Sequence, residues 1–436
     1  MSDNDTDTSC EEEQIVPDWE VREEWLKSIL KQYLKEGEVD IVELNVHPEC
    51  KLNKSTLSSI TRVRVKCITD FVYDDSGTGG LVDFTRYIFD LFIKRLPQDP
   101  LSRFFVTENQ FDLREIKFYT TVKPDLKEFN KRQLATSGEK ILLPVPECYH
   151  TYYSPAGGTD DSPVPPESML VLQDLTEPNF KKVEFSEGLT LDEAKSAMCA
   201  IACIHAHSLS MEFVDKLSLP ERYPFLFQTI KATDSYQQLV ERSLPLLTDF
   251  LKNIPELEVV LKTLLILRPR TKDIISTLLA PESPLASITH TDFWSNNLLF
   301  NIQDKQPEVP CYILDWQMVT YSRSTNDLAL LLVSSVPTEI RREHTETLLN
   351  TYWSKLTWTC SQLGLNISKD LGYTREDLDK DYRKSQLLAL LLCIGSVNIA
   401  LGNPRTEQRL IDVLHDLYND GILTDEAIIA TNETDS

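Results

Sequence analysis

The stretch that decides the fold is His290-Thr-Asp-Phe-Trp-Ser-Asn-Asn-Leu-Leu-Phe300. It places a carboxylate, Asp292, five residues before an amide, Asn297, and the apolar run from Leu298 predicts a β-strand. Phosphoryl transfer needs a carboxylate that orients the attacking hydroxyl and an oxygen ligand for the magnesium ion on the phosphates. One loop with this spacing can supply both groups, although an isolated His-x-Asp is most often a simple turn.

A second motif, Tyr312-Ile-Leu-Asp-Trp-Gln317, follows at a short distance along the chain. Its carboxylate, Asp315, comes at the end of an apolar strand and fifteen residues after Phe300. This is the usual position of the main metal-binding aspartate in a kinase, whereas a lone aspartate at a strand end is usually a cap. The two motifs in this order and at this separation therefore favour a phosphotransfer site.

A kinase site also requires an upstream lysine for the phosphates and a helix glutamate that orients this lysine. Lys94 follows the apolar residues Leu91-Phe-Ile93, and Glu115 lies 21 residues further on in a predicted helix. Each residue alone is more often a solvated charge at the surface. Glu108 is the competing partner, but we rank it lower because it lies near the start of the predicted helix and could cap it.

Hydrophobic periodicity around these motifs predicts a small β-rich lobe followed by a larger, mostly helical lobe. The expected fold class is α+β, with the two-lobed architecture of protein-kinase-like proteins. We predict a disordered acidic tail over 1–16, a nucleotide-binding N-lobe over 17–175, a catalytic and acceptor-binding C-lobe over 176–425, and a flexible tail over 426–436.

Local patterns add predictions about single elements. A helix is expected after Asp18 as N-cap, and another over 107–122. The Pro- and Gly-rich segment 154–166 is typical of a loop, and Met169–Gln173 of a buried strand. The C-lobe helices are predicted over 191–208, 221–251, 255–267, 339–363 and 382–401, with short strands near 287–289 and 312–314. Pro224 and Pro245 are expected to bound or kink the second of these helices.

Composition limits the classes of partner. The chain of 436 residues has 44 Lys and Arg against 68 Asp and Glu, a formal charge of −24. Such an acidic surface repels phosphate backbones and anionic lipids, so we expect neither a nucleic-acid partner nor a membrane. The nine cysteines form no CxxC pair and several lie in apolar runs, which indicates free thiols in a reducing compartment. With no secretory signal recognisable in the first fourteen residues, a cytoplasmic protein is expected.

The motifs together resemble the ecdysteroid kinase-like family, also described as CHK kinase-like, a branch of the protein-kinase-like fold related to aminoglycoside phosphotransferases and choline kinases. The matching pieces run in the family order over roughly residues 50–335. They are LFIK from Leu91, REIKFY around Glu115, LVLQDL from Leu170, CIHAHS from Cys203, HTDFWSNNLLF from His290, ILDWQ from Ile313 and NDLALLL from Asn326. Trp294 and Trp316-Gln317 favour this branch over protein kinases.

The resemblance implies roles for the charged residues of these motifs. Lys94 would contact the phosphates of ATP, and Glu115 would orient that lysine. Asp292 would be the catalytic base. Asn297 would be a magnesium ligand, and Asp315 would be the main one.

The resemblance also implies roles for residues beside the chemistry. Gln173, Asp174 and Leu175 would form the hinge, where backbone groups bind adenine. His290 and Asp327 would be structural braces of the catalytic loop.

One segment departs from the family pattern. The loop that covers the phosphates usually carries glycine before a strand with a Ser-x-x-x-Arg pattern. Ser58-Ser-Ile-Thr-Arg62 fits that strand, but Leu52-Asn-Lys-Ser55 has no glycine. The glycines at Gly77, Gly79 and Gly80 are expected in the turn between the second and third strands rather than over a nucleotide.

The resemblance implies a kinase that uses ATP and Mg²⁺ and phosphorylates an alcohol group of an ecdysteroid or a similar hydroxylated metabolite. Choline, an aminoglycoside-like compound or another hydroxylated xenobiotic stays open as the acceptor. A catalytically dead kinase fold that acts as a binding scaffold is the alternative from another class. No obligate protein partner is inferred.

Overall fold

The structure, a computed structural model, describes residues 19–35, 38–47, 57–71, 83–135, 140–159, 162–176, 180–302 and 309–423. Several predictions concern residues outside these ranges. They are the two tails over 1–16 and 426–436, the segment 52–55 and the glycines at 77–80. The helix predicted with Asp18 as N-cap begins later, at Glu23, and Arg22 occupies its N-cap position, so the predicted cap is wrong.

The N-terminal lobe is built on a five-stranded antiparallel sheet with strand order β1-β2-β3-β7-β4. Its long central pair, β2 and β3, is in register from Ser59 opposite Arg95 to Phe71 opposite Asp83. The elements are α1 (Glu23–Leu34), β1 (Val39–His47), β2 (Ser59–Phe71), β3 (Asp83–Arg95), α2 (Pro100–Glu108), α3 (Phe111–Lys117), α4 (Lys123–Leu134), β4 (Cys148–Ser154), β5 (Gly157–Thr159), β6 (Ser162–Val164) and β7 (Glu167–Gln173).

The two faces of this sheet have different roles because side chains alternate along a strand. Val63, Val65, Leu91 and Ile93 are buried and pack with the apolar side of α1 in a small separate core. The residues that alternate with them, including Lys94 next to Ile93, therefore point to the opposite face, towards the C-terminal lobe.

The prediction of one continuous helix over 107–122 is wrong, because the helix is interrupted at residues 109 and 110, between α2 and α3. Asp99 caps α2 by accepting a hydrogen bond from the Ser102 N–H at 2.8 Å. Gln110 then adopts a left-handed conformation, with φ 57°, immediately before α3. A single π-helical turn over Phe118–Val122 joins α3 to α4. The break and the wider turn set the direction in which α3 presents its side chains.

The predicted loop over 154–166 contains two short strands, which is a second correction. β5 and β6 pair as a small antiparallel hairpin, with Gly157 opposite Val164. Gly158 has a positive φ of 84°, as a tight hairpin requires. The composition revealed the turn but not the pairing beside it.

The C-terminal lobe is mainly helical, as predicted, and the α+β, two-lobed architecture is confirmed. Its strands are β8 (Phe180–Lys181), β9 (Ala286–Thr289), β10 (Leu298–Asn301), β11 (Cys311–Ile313) and β12 (Thr320–Arg323). Its helices are α5 (Leu191–Asp215), α6 (Leu219–Arg222), α7 (Thr229–Leu251), α8 (Glu258–Leu267), α9 (Thr271–Leu279), α10 (Thr325–Ser335), α11 (Thr338–Gln362), α12 (Ile367–Asp370), α13 (Arg375–Gly395), α14 (Val397–Ala400) and α15 (Pro404–Asn419).

Helix α5 is the centre of this lobe. Thr190 and Glu193 form a capping box at its start, and the helix is buried from Ala200 to Met211. By length and composition α5 is the one helix in the described part of the chain that could cross a membrane, but 78% of its apolar window is buried inside the molecule. The burial accounts for its apolar composition, since α5 packs against α11, α4 and the strands of the lobe.

Helix boundaries in this lobe differ from the predicted ones in several places. Helix α5 continues to Asp215, seven residues beyond its predicted end. Of the two prolines expected to bound or kink the segment 221–251, Pro224 begins a short 3-10 turn before α7, and Pro245 lies inside α7. The last predicted helix, 382–401, begins earlier as α13, where Thr374 and Asp377 form a capping box. Ser396 then separates α13 from the short α14.

Candidate active site

The structure brings Lys94, Glu115 and Asp315 together between the two lobes. The Lys94 Nζ lies 2.7 Å from the Glu115 Oε2 and 2.7 Å from the Asp315 Oδ1. β3 supplies the lysine, α3 supplies the glutamate, and the turn after β11 supplies the aspartate. Glu115 is therefore the helix partner of Lys94. Glu108, the competing candidate, ends α2 before the break in the chain.

Burial controls the charges of this cluster. Burial alone would lower the pKa of Lys94, but the carboxylates of Asp315 and Glu115 outweigh it and hold this pKa above the usual value. The Glu115 side chain is 1% exposed, and its burial raises the carboxyl pKa although Lys94 and the Trp316 N–H oppose the shift. The lysine therefore stays charged, and its charge stabilises the two acidic groups around it.

The loop that carries Asp315 is fixed from several sides. Asp315 has a positive φ of 62°, an uncommon conformation for a residue with a side chain. The next residue, Trp316, donates its backbone N–H to the Glu115 Oε1 at 3.2 Å and its indole N–H to the Ile313 carbonyl at 3.2 Å. Phe118, on the π-helical turn, stacks on the Trp316 ring with centroids 4.0 Å apart. The contacts of Trp316 with Glu115 and Phe118 thus hold Asp315, the predicted metal ligand, in place.

The side chains of Asp292 and Asn297, which are predicted to belong to the catalytic loop, are also in contact. The Asn297 Nδ2 donates to both the backbone carbonyl and the Oδ2 of Asp292, each at 2.9 Å. Burial raises the pKa of Asp292, while the neighbouring His290 and the hydrogen bond from Asn297 act in the opposite direction. The amide is thereby oriented so that its oxygen remains available for a cation.

Asp327 holds the backbone of this loop. Its two carboxylate oxygens accept the His290 N–H at 2.8 Å and the Thr291 N–H at 2.7 Å. Thr291 has a positive φ of 65°, so this carboxylate stabilises a backbone conformation that is costly for a β-branched residue. The His205 Nε2 on α5 contacts the Asp327 Oδ2 at 3.1 Å and joins the loop to the central helix.

His290 connects the two sequence motifs. Its Nε2 lies 2.8 Å from the Leu314 carbonyl, immediately before Asp315. Its ring also packs against Trp316, with centroids 4.7 Å apart. The buried imidazole therefore holds the loop of Asp292 against the turn that carries Asp315.

The three hinge residues follow β7, but they offer fewer backbone groups than the resemblance implies. The Gln173 N–H donates to the Glu147 carbonyl and the Asp174 N–H to the Asp90 carbonyl, both at 2.8 Å. Leu175 is the hinge residue whose N–H has no backbone acceptor among the described residues. An adenine-binding hinge here would therefore rely on the Leu175 N–H and on carbonyl groups.

The donor set fits a magnesium ion. Carboxylate and amide oxygens are ligands that Mg²⁺ accepts, and it commonly takes only one or two protein groups together with phosphates and water. The Asp315 carboxylate and the Asn297 amide oxygen supply this number. No group of three or more His, Cys, Asp and Glu side chains able to hold a metal occurs among the described residues.

Two residues that the motifs did not reveal connect the site to its surroundings. Arg114 is 3% exposed and donates to the Val319 and Gln228 carbonyls, each at 3.3 Å, which links α3 to the segment after Asp315 and to the start of α7. The Tyr236 hydroxyl of α7 donates to the Thr291 carbonyl at 3.0 Å. No local spacing signals these contacts, because both form between segments that are distant in the sequence.

The fold, with its small antiparallel sheet and its larger helical lobe, is kinase-like. Residues 56–365 match the sequence model of the ecdysteroid kinase-like family, which is more than half of the chain. The chain therefore belongs to the ecdysteroid kinase-like family.

Individual relatives are distant. A Caenorhabditis elegans protein described as the uncharacterized oxidoreductase dhs-27 is 23% identical over 280 residues, which are 61% of this chain and 32% of that protein. The chain thus spans about a third of this relative's length. Two crystal structures of aminoglycoside phosphotransferase APH(4)-Ia, one a thermostable mutant in apo form, align with 11% and 12% identity and TM-scores of 0.31 and 0.29. The alignments cover 89% of this chain and 98% of each structure, with scores too low to add to the family match.

Proposed function

We propose that this protein is a small-molecule kinase that transfers the γ-phosphoryl group of ATP to an alcohol group and depends on Mg²⁺. The observation that carries the proposal is the meeting of Lys94, Glu115 and Asp315, which come from three distant segments, at 2.7 Å contacts. A structural ion pair would need only two of these groups. Two carboxylates around one buried lysine are suited to a site where phosphates and a cation enter.

Each residue has a role in this mechanism. Lys94, held by Glu115, would bind the phosphates of the nucleotide. Asp315 and the Asn297 oxygen would hold Mg²⁺, which supplies neutralisation of the charge on the phosphates when it is bound. Asp292 would orient the acceptor hydroxyl and accept its proton at a carboxylate oxygen. Most of the rate enhancement would come from positioning and charge neutralisation.

The binding half of the proposal can be tested by calorimetry. Wild-type protein is expected to bind ATP more tightly with Mg²⁺ than without it. Asp315→Ala should abolish this difference because it removes the main oxygen ligand, and Asp292→Asn should keep it. Asp90→Asn is a matched control, since Asp90 lies on the same face of β3 and pairs with Arg64 rather than with Lys94. An Asp315→Ala variant with an undiminished magnesium effect would contradict the assignment.

The acceptor is proposed as an ecdysteroid or a similar hydroxylated metabolite, because the chain belongs to the ecdysteroid kinase-like family. Choline, an aminoglycoside-like compound or another hydroxylated xenobiotic is the alternative acceptor class. The acidic surface, with a formal charge of −24, favours a cationic acceptor slightly. A panel with neutral ecdysteroids and cationic alcohols separates the two classes by the compound that stimulates ADP release.

A binding scaffold without catalysis is the second candidate function. It is favoured only by the missing glycine in the segment 52–55, which lies outside the described residues. The scaffold predicts nucleotide binding without acceptor-dependent ADP release. The proposed kinase predicts both in the same preparation.

A further inference from the structure

A cluster of charged and polar side chains ties the second strand to the hinge. The Arg62 Nε lies 3.2 Å from the Asp174 Oδ2, and the same guanidinium donates to the Thr176 hydroxyl. Thr176 in turn donates its backbone N–H and its hydroxyl to the Asp174 Oδ1, at 3.0 and 2.5 Å. The Arg62 and Asp174 side chains are 29% and 13% exposed. The guanidinium is therefore held in one orientation by two partners on one short segment.

Arg62 extends from the face of the sheet that carries Lys94. It is directly opposite Phe92 in the register of β2 and β3, and Lys94 lies two residues further along β3. The adjacent residues Val63, after Arg62, and Leu91, before Phe92, are buried on the α1 side. Because side chains alternate between the faces, Arg62, Phe92 and Lys94 share the face directed to the cleft between the lobes. Lys94 lies towards Asp315, and Arg62 reaches the hinge.

These positions divide the cleft into two ends. The end at Lys94 holds the groups suited to phosphates, and the end at the hinge offers the Leu175 N–H to a base. A planar guanidinium above a flat aromatic ring is a favourable arrangement, and it gains strength when both groups are withdrawn from water. At the position of Arg62, above a base bound at the hinge, an aliphatic side chain would provide contact area alone, whereas an arginine adds an electrostatic attraction to the aromatic ring of the base.

We propose that Arg62 is a nucleotide-binding residue that stacks on the face of the purine base, with Asp174 and Thr176 as the anchors of its guanidinium. This inference rests on the proposed function, because it concerns the same cleft. Asp174 then acts through Arg62, since its Oδ2 forms the ion pair with Arg62 and its Oδ1 accepts hydrogen bonds from Thr176. Asp174 is in this view a positioning residue, and its side chain makes no direct contact with the nucleotide.

The test separates the base from the phosphates. Binding of Mg-ADP, adenosine and Mg-tripolyphosphate is measured by calorimetry for wild type and for Arg62→Leu. The leucine of this variant keeps an apolar contact with the base but lacks the guanidinium charge, so we expect Mg-ADP and adenosine to bind about 10-fold more weakly. Mg-tripolyphosphate, which has no base, should bind equally to both proteins. Weaker binding of Mg-ADP and Mg-tripolyphosphate with unchanged binding of adenosine would place Arg62 at the phosphates and overturn the stacking role. An equal loss for all three ligands would show a general change of the cleft and would overturn it as well.

Two further variants exclude an effect through the stability of the sheet. Arg64→Leu is the matched control, because Arg64 lies two residues along β2 and forms an ion pair with Asp90. We expect wild-type affinity for all three ligands. Asp174→Asn should weaken adenosine binding less than Arg62→Leu does, and the two changes together should have no more effect than Arg62→Leu alone.

The outcomes also separate this inference from the proposed function. Wild-type protein that binds neither Mg-ADP nor Mg-tripolyphosphate would contradict the proposed function, and the inference with it. Wild-type protein that binds Mg-ADP, together with an Arg62→Leu variant of equal affinity for adenosine, would overturn the inference alone.

Discussion

At the scale of single residues, the buried lysine and its two carboxylates dominate the behaviour of the cleft. Glu115 accepts hydrogen bonds from Lys94 and from the Trp316 N–H, so it orients the lysine and the loop of Asp315 at once. Because Glu115 is buried, its ion pair with Lys94 depends strongly on the charge of this carboxylate. Loss of the charge on Glu115 should therefore affect nucleotide use more than the local packing.

Glu115→Gln tests this dependence. The amide keeps the size of the side chain but loses the charge that holds Lys94, so kcat/KM for ATP should fall about 10- to 100-fold. Steady-state kinetics with varied ATP measures the effect. Glu108→Gln is the control from the same helical region and should be neutral, and equal losses in the two variants would contradict the assignment of Glu115.

Asp292 gives a prediction about pH. Burial raises the pKa of its carboxyl above the ordinary value of 3.8, so this group favours the folded state at low pH and loses that contribution as pH rises through its raised pKa. The base must be ionised to act, and kcat/KM should therefore fall on acidification with an inflection above the ordinary Asp pKa. A pH profile of kcat/KM measures this limb.

The same burial predicts a stability effect of opposite sign. Asp292→Asn removes a buried negative charge, so its melting temperature at neutral pH should be higher than that of wild type although turnover is lost. At a pH below the ordinary Asp pKa the difference should disappear, because both side chains are then neutral. A variant that is less stable at neutral pH would show that Asp292 has a structural role.

At the scale of elements, the π-helical turn after α3 is the feature with the clearest function. It places Phe118, which is fully buried, flat against Trp316 beside the metal-type aspartate. Phe118 keeps the direction of α3, since its N–H donates to the Arg114 carbonyl, and it therefore transmits the position of α3 to the loop of Asp315. The additional residue of the π-helical turn redirects the chain into α4.

Phe118→Ala should destabilise the protein by about 3–5 kcal/mol, because it removes a fully buried ring and leaves a cavity at Trp316. Urea unfolding at equilibrium measures the change. Phe104→Ala is the matched control on α2, where the ring is 65% exposed and its loss should cost little. A Phe118→Ala variant with wild-type stability would mean that the stacking on Trp316 does not support the loop.

Sequence reasoning could identify the elements that carry the strongest local signals. The spacing predicts Lys94, Glu115, Asp292, Asn297 and Asp315 as site residues. The structure joins Lys94, Glu115 and Asp315 in one cluster and Asp292 with Asn297 in a second, and their catalytic roles stay predictions. The broken helix at 107–122 and the hairpin at 157–164 were missed, because a left-handed Gln110 and a short strand pair leave weak local patterns.

The contacts of Arg114, Tyr236 and Arg62 could not be predicted for a different reason. Each joins segments more than fifty residues apart, and only tertiary packing determines which carbonyl or carboxylate meets the side chain. Arg62 was recognised as part of a strand pattern, but not as a partner of Asp174.

At the scale of the whole molecule, the formal charge of −24 creates repulsion across a compact surface. Salt shortens the range of this repulsion, from about 30 Å at 0.01 M to about 8 Å at 0.15 M. The melting temperature should therefore rise between these two sodium chloride concentrations. Thermal unfolding measures it, and a lower melting temperature at the higher concentration would indicate that specific ion pairs outweigh the repulsion.

The proposed reaction requires residues of both lobes, and one measurement tests this requirement most directly. ADP release from Mg-ATP is followed with ecdysteroids, choline, ethanolamine and glycosides, for wild type and for Asp292→Asn, with mass spectrometry of the acceptor. We predict that one hydroxylated acceptor stimulates ADP release by wild type and gains one phosphoryl group for each ADP, and that Asp292→Asn reduces this rate at least about 1,000-fold. Phosphorylation of the acceptor at an unchanged rate by Asp292→Asn would contradict the account.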